Sequence, residues 1–237
     1  MYVKHRAFKT PTDDCVIWRY MSFAKFVWLI AEESLYFPRL DQHSDEWEGL
    51  ISTPPENFKD RKYIRFAKYI NCWHINDNES DAMWKLYGPP GENVAIKSTV
   101  GALKTSLKDG TPVYIGEVDY REGVLPEGNL YWPVIYKRKA FGHEKELRLC
   151  ISSPNNDNPP DLAKVKNELA FLGLNGQSEM ELLKSIGLKG IPIRVDVNQL
   201  LKEVVICRSS GRYLYEAVDY ILRGKGLHHV PIDESKL

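Results

Sequence analysis

The sequence predicts a single α+β domain built on a central mixed, mostly antiparallel sheet flanked by helices. Short apolar segments with period-two alternation recur at 16–20, 69–75, 94–99 and 141–151. Segments with helical spacing of apolar residues lie between and after them, the first being Phe23, Phe26, Val27 and Ile30. At 237 residues, with 43 % hydrophobic and 27 % charged content, the chain is long enough to bury a substantial core. The expected domain spans 1–237, with a core at about 16–152 and a C-terminal helical and strand extension at about 160–237. There is no internal repeat and no low-complexity tract.

The opening reads strand, helix, strand. Val16–Tyr20 is extended, and Arg19 within it either snorkels at a strand end or pairs with an anion in a cleft. Ser22 can cap the first helix, and Ser34–Leu40 is the next strand. The acidic run Asp41–Gly49 is either a solvated turn or, through His43, Asp45 and Glu48, a metal-ligating group. Pro54 and Pro55 mark a surface connection, and 61–69 is helical or extended. Tyr69–Ile75 alternates as a strand, with His74 read as a satisfied structural histidine.

Asn76 or Asn78 is expected to cap a helix over Glu79–Tyr87, which Gly88 and Pro89 terminate. Trp84 and Tyr87 pack in the core or form the aromatic wall of a pocket. Val94–Thr99 is a strand leading into a helix over Val100–Leu107. Ser98 or Thr99 is its N-cap, and hydroxyls at such a point also hold an anion or a ribose. Val113–Tyr120 and Tyr131–Tyr136 are further strands, and the basic triplet Lys137–Lys139 reads as a solvated loop. The Pro- and Asn-rich 153–160 is a loop, followed by helices near 162–169 and 180–186. Gly190–Val197 is a strand placed at an edge by Pro192, and Asn198 caps a helical turn. Val204–Arg208 is extended, and Arg212–Arg223 is a closing helix ended near Gly224.

Formal net charge is zero, so there is no global electrostatic pull toward nucleic acid or anionic membrane. Six Trp and thirteen Tyr suit a deep core or a stacking site. Cys15, Cys72, Cys150 and Cys207 form no Cys-x-x-Cys pair, which argues against a zinc ribbon or redox motif. No signal peptide and no membrane-length apolar run is visible, so a soluble protein of the reducing cytoplasm is expected.

Phe141–Ile151 holds the densest chemistry. Read as one strand, it sets Leu147, Leu149 and Ile151 on one face and Glu144, Glu146, Arg148 and Cys150 on the other. Crowded carboxylates beside a cation push pKa values apart for acid/base or electrostatic work. The plainer reading is an exposed face laced with cross-strand ion pairs.

Trp18–Tyr20, Cys72–His74, Glu79-Ser-x-x-Met-Trp-x-x-Tyr87, Val94–Thr99 and Phe141-x-His-Glu-x-Glu-x-Arg148 together resemble the bacterial domain-of-unknown-function 2971 family. Asp45-x-x-Glu48-Gly49 and Gly190-x-x-x-x-Val195-Asp196 fit it as well. That resemblance implies a prokaryotic defence or toxin setting, with a defence-system partner protein. Arginine on a first strand, Ser-Thr on a later one and Glu-x-Glu on a third is also similar to the Arg–Ser–Glu class of ADP-ribosyltransferases. This second resemblance implies an ADP-ribosyltransferase-like fold and NAD as co-substrate. It implies that Arg19 holds phosphates or ribose, that Ser98 braces the catalytic carboxylate with Thr99 beside it, and that Glu146 stabilises the oxocarbenium-like transition state. Glu144 would orient or deprotonate the acceptor, which is a protein, a nucleic acid, a small molecule or water. Tyr20, Trp84, Tyr87 and Arg148 complete the expected nucleotide site. The class pattern departs at Val100, where a serine would follow Ser-Thr, and in the long gap from Arg19 to Ser98.

Two other readings use the same residues. A metal-dependent nuclease would employ Asp45, Glu48, Glu144 and Glu146 with a lysine from 137–145. A non-catalytic module would use the polar strand face as a ligand pocket or interface.

Overall fold

The computed structural model describes residues 1–43, 65–88, 91–122, 131–152 and 188–237. The strands are β1 (Val16–Ser22), β2 (Ser34–Pro38), β3 (Lys68–Ile75), β4 (Asn93–Thr99), β5 (Tyr114–Glu117), β6 (Asp119–Arg121), β7 (Tyr136–Arg138), β8 (Glu146–Ser152), β9 (Gly190–Arg194), β10 (Glu203–Ile206) and β11 (Ile232–Glu234). The helices are α1 (Phe23–Glu32), α2 (Asp81–Leu86), α3 (Val100–Ser106), α4 (Trp132–Ile135), α5 (Val197–Leu200) and α6 (Arg212–Gly224).

The main sheet has seven strands in the order β11-β10-β4-β1-β3-β8-β5. Every pairing in it is antiparallel except β10–β11. Two small sheets, β2–β9 and β6–β7, attach to it. The α+β mixed-sheet expectation therefore holds, and strands from both ends of the chain share one sheet.

Alternation along the strands divides the sheet cleanly. Ile17, Met21, Val94, Ile96, Leu147, Leu149 and Ile151 form a first face, buried with Phe26, Leu29 and Ile30 of α1, Leu103 of α3 and Val218 and Leu222 of α6. The second face carries Trp18, Tyr20, Ala95 and Val205, covered by Met83 and Trp84 of α2. A separate apolar patch there joins Ile70 and Cys150 to Phe8, Val134 and Ile135. Between the two patches, register sets Cys72 opposite Arg148 and His74 opposite Glu146.

Several local expectations change. Residues 139–144 form a 3₁₀ segment instead of strand, closed by Lys145 in the left-handed region at φ 40°. Trp132–Ile135 is helical, because a proline in its first turn fixes φ without loss of a needed N–H; extended chain begins at Tyr136. The predicted strand 113–120 breaks at Val118, whose N–H turns to the Glu146 carbonyl. The caps are Ser80 for α2 and Asp196 for α5, where Asp196 accepts from Gln199 N; Asn76, Asn78 and Asn198 do not fill those positions. Pro192 lies in the two-stranded β2–β9 sheet, opposite Tyr36, as an edge residue. The acidic residues Asp45 and Glu48, Gly49, Pro54 and Pro55, the loop 153–160 and the helices expected at 162–169 and 180–186 lie outside the described residues.

Candidate active site

The site begins where β1 and β3 part. They pair only at Ile17–Ile75 and Trp18–His74, after which β1 continues beside β4 alone. β3 is met instead by the chain around β2, through the Arg39–Tyr69 bridge and a 2.8 Å bond from Asn71 Nδ2 to the Tyr36 carbonyl. The main sheet thus forks. Its backbone groups still need partners, and Arg19 supplies one: its guanidinium donates to the Cys72 carbonyl at 2.8 Å and to Asn71 Oδ1 at 2.7 Å. Asn71 Oδ1 also accepts from Trp73 Nε1 at 2.9 Å, so this 1 % exposed amide ties three strands and fixes the arginine.

A cavity of about 530 Å³ opens beside the fork, between β1, α1 and β2. Its lining includes Arg19, Lys25, Trp28, Tyr36 and Gln42. Burial lowers Arg19 below its ordinary value, against smaller opposing effects of Cys72 and Tyr87.

Glu144 and Glu146 converge on the second face. The kink at Lys145 aims both at one ammonium: Lys137 Nζ lies 2.7 Å from Glu144 Oε2 and 2.6 Å from Glu146 Oε1. Arg148 Nε donates to the other oxygen of Glu146 at 2.6 Å and its Nη1 to the Val134 carbonyl. Lys137, Glu144, Glu146 and Arg148 are all buried. Tyr120 accepts from the Glu146 N–H at 2.8 Å and fixes the strand start.

The two carboxyls have opposite fates. Burial, and a hydrogen bond in which it keeps the proton against Glu146, push Glu144 up to about 7. Burial acts upward on Glu146 too, but Arg148, the Glu144 hydrogen bond and Lys137 outweigh it and hold the carboxyl well below its ordinary value. This is a dyad sharing one proton, the pattern of an acid beside a fixed anion.

His74 Nδ1 lies 2.6 Å from the Glu144 carbonyl, an acceptor only, so that nitrogen carries the proton. Nε2 is buried without a hydrogen-bond partner among the described residues. The expectation of a satisfied histidine is met at one nitrogen and fails at the other.

The Tyr87 hydroxyl is largely desolvated and feels charge from both the fork arginine and the dyad. Desolvation raises its hydroxyl first, then Cys72, Glu146 and Glu144, while Arg19 acts in the opposite sense. One hydroxyl therefore senses the arginine and both carboxylates.

Other expected site residues do different work. Ser98 donates to the Leu200 carbonyl at 2.5 Å in a buried setting and anchors α5; it does not brace Glu146, whose partners are Lys137 and Arg148. Thr99 is the N-cap of α3, accepting from Ala102 N. Tyr20 accepts from Ser80 N, and Trp84 donates to Glu79, both within the aromatic core under α2. Lys137 was hidden in a triplet that reads as solvated, yet it is 6 % exposed; the apolar run Val134–Tyr136 leading into it was the available signal. Asn71, Trp28 and Tyr36 carried no motif at all. Among the described residues no three His, Cys, Asp or Glu side chains are grouped to hold a metal ion.

The four cysteines are free. No described helix is long and apolar enough to cross a membrane.

No family model matches the chain, so membership of the unknown-function family is not shown. No curated protein matches it either. Among solved structures it is similar to DarT of Thermus sp. 2.9 in complex with ADP-ribosylated ssDNA, at 12 % identity over 97 % of each chain and a TM-score of 0.43. It is also similar to that DarT in complex with carba-NAD+, at 10 % identity over 95 % of this chain and 97 % of the other, with a TM-score of 0.37. Likeness at this level does not set the chain's activity.

Proposed function

We propose that the chain is an NAD-consuming enzyme of ADP-ribosyltransferase-like or NAD-glycohydrolase-like chemistry. The observation that carries this reading is the buried Glu144–Glu146 dyad fixed by Lys137 and Arg148, in a sheet whose fork holds Arg19 in a cavity wall. Arginine in a fork suits a pyrophosphate. Breaking the bond between ribose C1′ and the nicotinamide nitrogen sends the electron pair out with nicotinamide and leaves positive charge on the sugar. A fixed carboxylate is the group to stabilise it. Lys137 at one oxygen and Arg148 at the other hold Glu146 as a fixed anion. Once ionised, as it is when pH rises above about 7, Glu144 takes the proton of the acceptor as it attacks C1′.

A defence or toxin role and a partner protein belong to this proposal through the family resemblance alone. A reducing cytoplasm is part of it too, and four free cysteines suit that setting.

One feature favours a second reading, a nucleotide-binding module without turnover. Glu146 is 4 % exposed and both its oxygens are engaged by cations, as in a purely structural ion network. The two readings separate in an assay of nicotinamide release from NAD, run with and without cellular extract as a source of acceptor. Release supports the enzyme; NAD binding without release supports the module; neither binding nor release refutes both.

A further inference from the structure

We propose that the fork cavity is a binding site for an apolar carboxylate, its anion held by Arg19 and its body against Trp28 and Tyr36. The cavity lies on the first face of the sheet, with α1, whereas the Glu144–Glu146 dyad lies on the second. The site therefore goes beyond the NAD reading and stands whether or not the chain consumes NAD.

Arg19 alternates with Ile17 and Met21, so it projects to the side of the sheet that α1 covers. Its Nη1 is spent on the fold, donating to Asn71 Oδ1 and to the Cys72 carbonyl, both neutral acceptors. Among the described residues no carboxylate pairs with it, and a desolvated guanidinium without an anion is costly. The donors left over are Nε and Nη2, whose parallel N–H groups match the two oxygens of a carboxylate. Arg39 shows that pairing within the same molecule, its Nε donating to Asp41 Oδ1 and its Nη2 to Asp41 Oδ2.

The rest of the lining selects the body of the ligand. The volume of about 530 Å³ falls within the range of small-molecule sites, about 300–1,000 Å³. Met21, Leu29 and Leu35 give it an apolar floor. Trp28 and Tyr36 meet edge to face above it, with ring centroids 5.8 Å apart and planes at 86°. They remain 37 % and 42 % exposed, so both offer apolar ring surface. The Tyr36 ring is seated over Gly190, where an added Cβ would stand 2.2 Å from its Cζ and Oη, so that wall depends on the glycine. Lys25 adds a second cation to the lining, which contains no acidic side chain. One guanidinium edge among apolar walls suits a single carboxylate on an apolar body.

The test measures by calorimetry the affinities of naphthoate, its neutral amide naphthamide, and AMP for wild type, Trp28→Ala and Lys25→Glu. Both replaced side chains are exposed, and thermal melts verify that each variant is folded. Naphthoate is expected to bind, and naphthamide to bind at least tenfold more weakly, because it cannot accept two charge-assisted hydrogen bonds from Arg19. Trp28→Ala weakens naphthoate and naphthamide alike, by about tenfold. Lys25→Glu weakens naphthoate by a factor that grows as salt is lowered, and leaves naphthamide unchanged. Naphthamide bound as tightly as naphthoate would overturn the role given to Arg19. AMP bound more tightly than naphthoate would overturn the class of ligand. No binding of naphthoate by wild type, or wild-type affinity in folded Trp28→Ala, would overturn the site itself.

Discussion

Replacing Lys137 by methionine keeps much of the stem's volume and deletes its charge. The ammonium is 2.7 Å from Glu144 and 2.6 Å from Glu146, in a lysine 6 % exposed. The attraction within such a pair is offset by the desolvation of its members, so intact it adds little. Broken, it leaves a buried carboxylate without its counter-ion, which costs about 3–5 kcal/mol. Arg148 still faces Glu146, and Glu144 can take up a proton, so the lower end of that range, about 3 kcal/mol, is expected for Lys137→Met. Urea denaturation at neutral pH measures it. The control is Lys9→Ala, which removes a pair whose side chains are 84 % and 34 % exposed and is expected to change stability far less. Coupling to Glu144→Gln in a double-mutant cycle should exceed about 1 kcal/mol, since the two groups touch. A Lys137→Met variant within about 1 kcal/mol of wild type, and uncoupled from Glu144, would refute the buried network and with it the split dyad.

Stability should follow pH through the dyad in a defined sense. Glu144 is raised in the folded state, so folding binds protons between about 4.5 and about 7, and its contribution is lost as pH rises through about 7. Glu146 is lowered, and its contribution is lost as pH falls below the ordinary carboxylate range. Denaturation across pH should show the first slope in wild type and not in Glu144→Gln. Asn71→Ala removes one acceptor and one donor that hold Arg19, Trp73 and the Tyr36 carbonyl, and should cost about 2–4 kcal/mol in denaturant melts. The same variant frees Arg19 and should raise KM for NAD more than it lowers kcat. Nitrogen NMR should find His74 neutral at pH 7, protonated on Nδ1, and charging only at lower pH than an ordinary histidine, because burial lowers it.

The long strands of the main sheet, β1, β3, β4 and β8, were legible because each alternates over seven or eight residues and buries one full face, whereas the three-residue β11 gave no such signal. Arg19 and the Glu144–Glu146–Arg148 group stood out for the same reason: charged residues interrupting an apolar pattern. What was not legible follows from the fork. A strand pair that ends after Trp18 and His74 leaves no mark in either strand's own alternation, so the cavity and its wall, Lys25, Trp28 and Tyr36, read only as helix and strand surface. Ser98 was misread because its hydroxyl satisfies a helix carbonyl more than 100 residues away, at Leu200. The left-handed turn at Lys145 was equally hidden, since a lysine gives no warning of positive φ. Yet that turn is what brings two repelling carboxylates to one ammonium.

The central claim is that Glu146 stabilises charge on the ribose as nicotinamide departs. The most direct test compares Glu146→Gln with wild type in one experiment that reads both NAD affinity and nicotinamide release, with folding verified by melting. Affinity is expected to stay within about threefold, and release to fall by about 10²–10³, the loss typical of one preorganised electrostatic group. Release by Glu146→Gln at the wild-type rate would contradict the account.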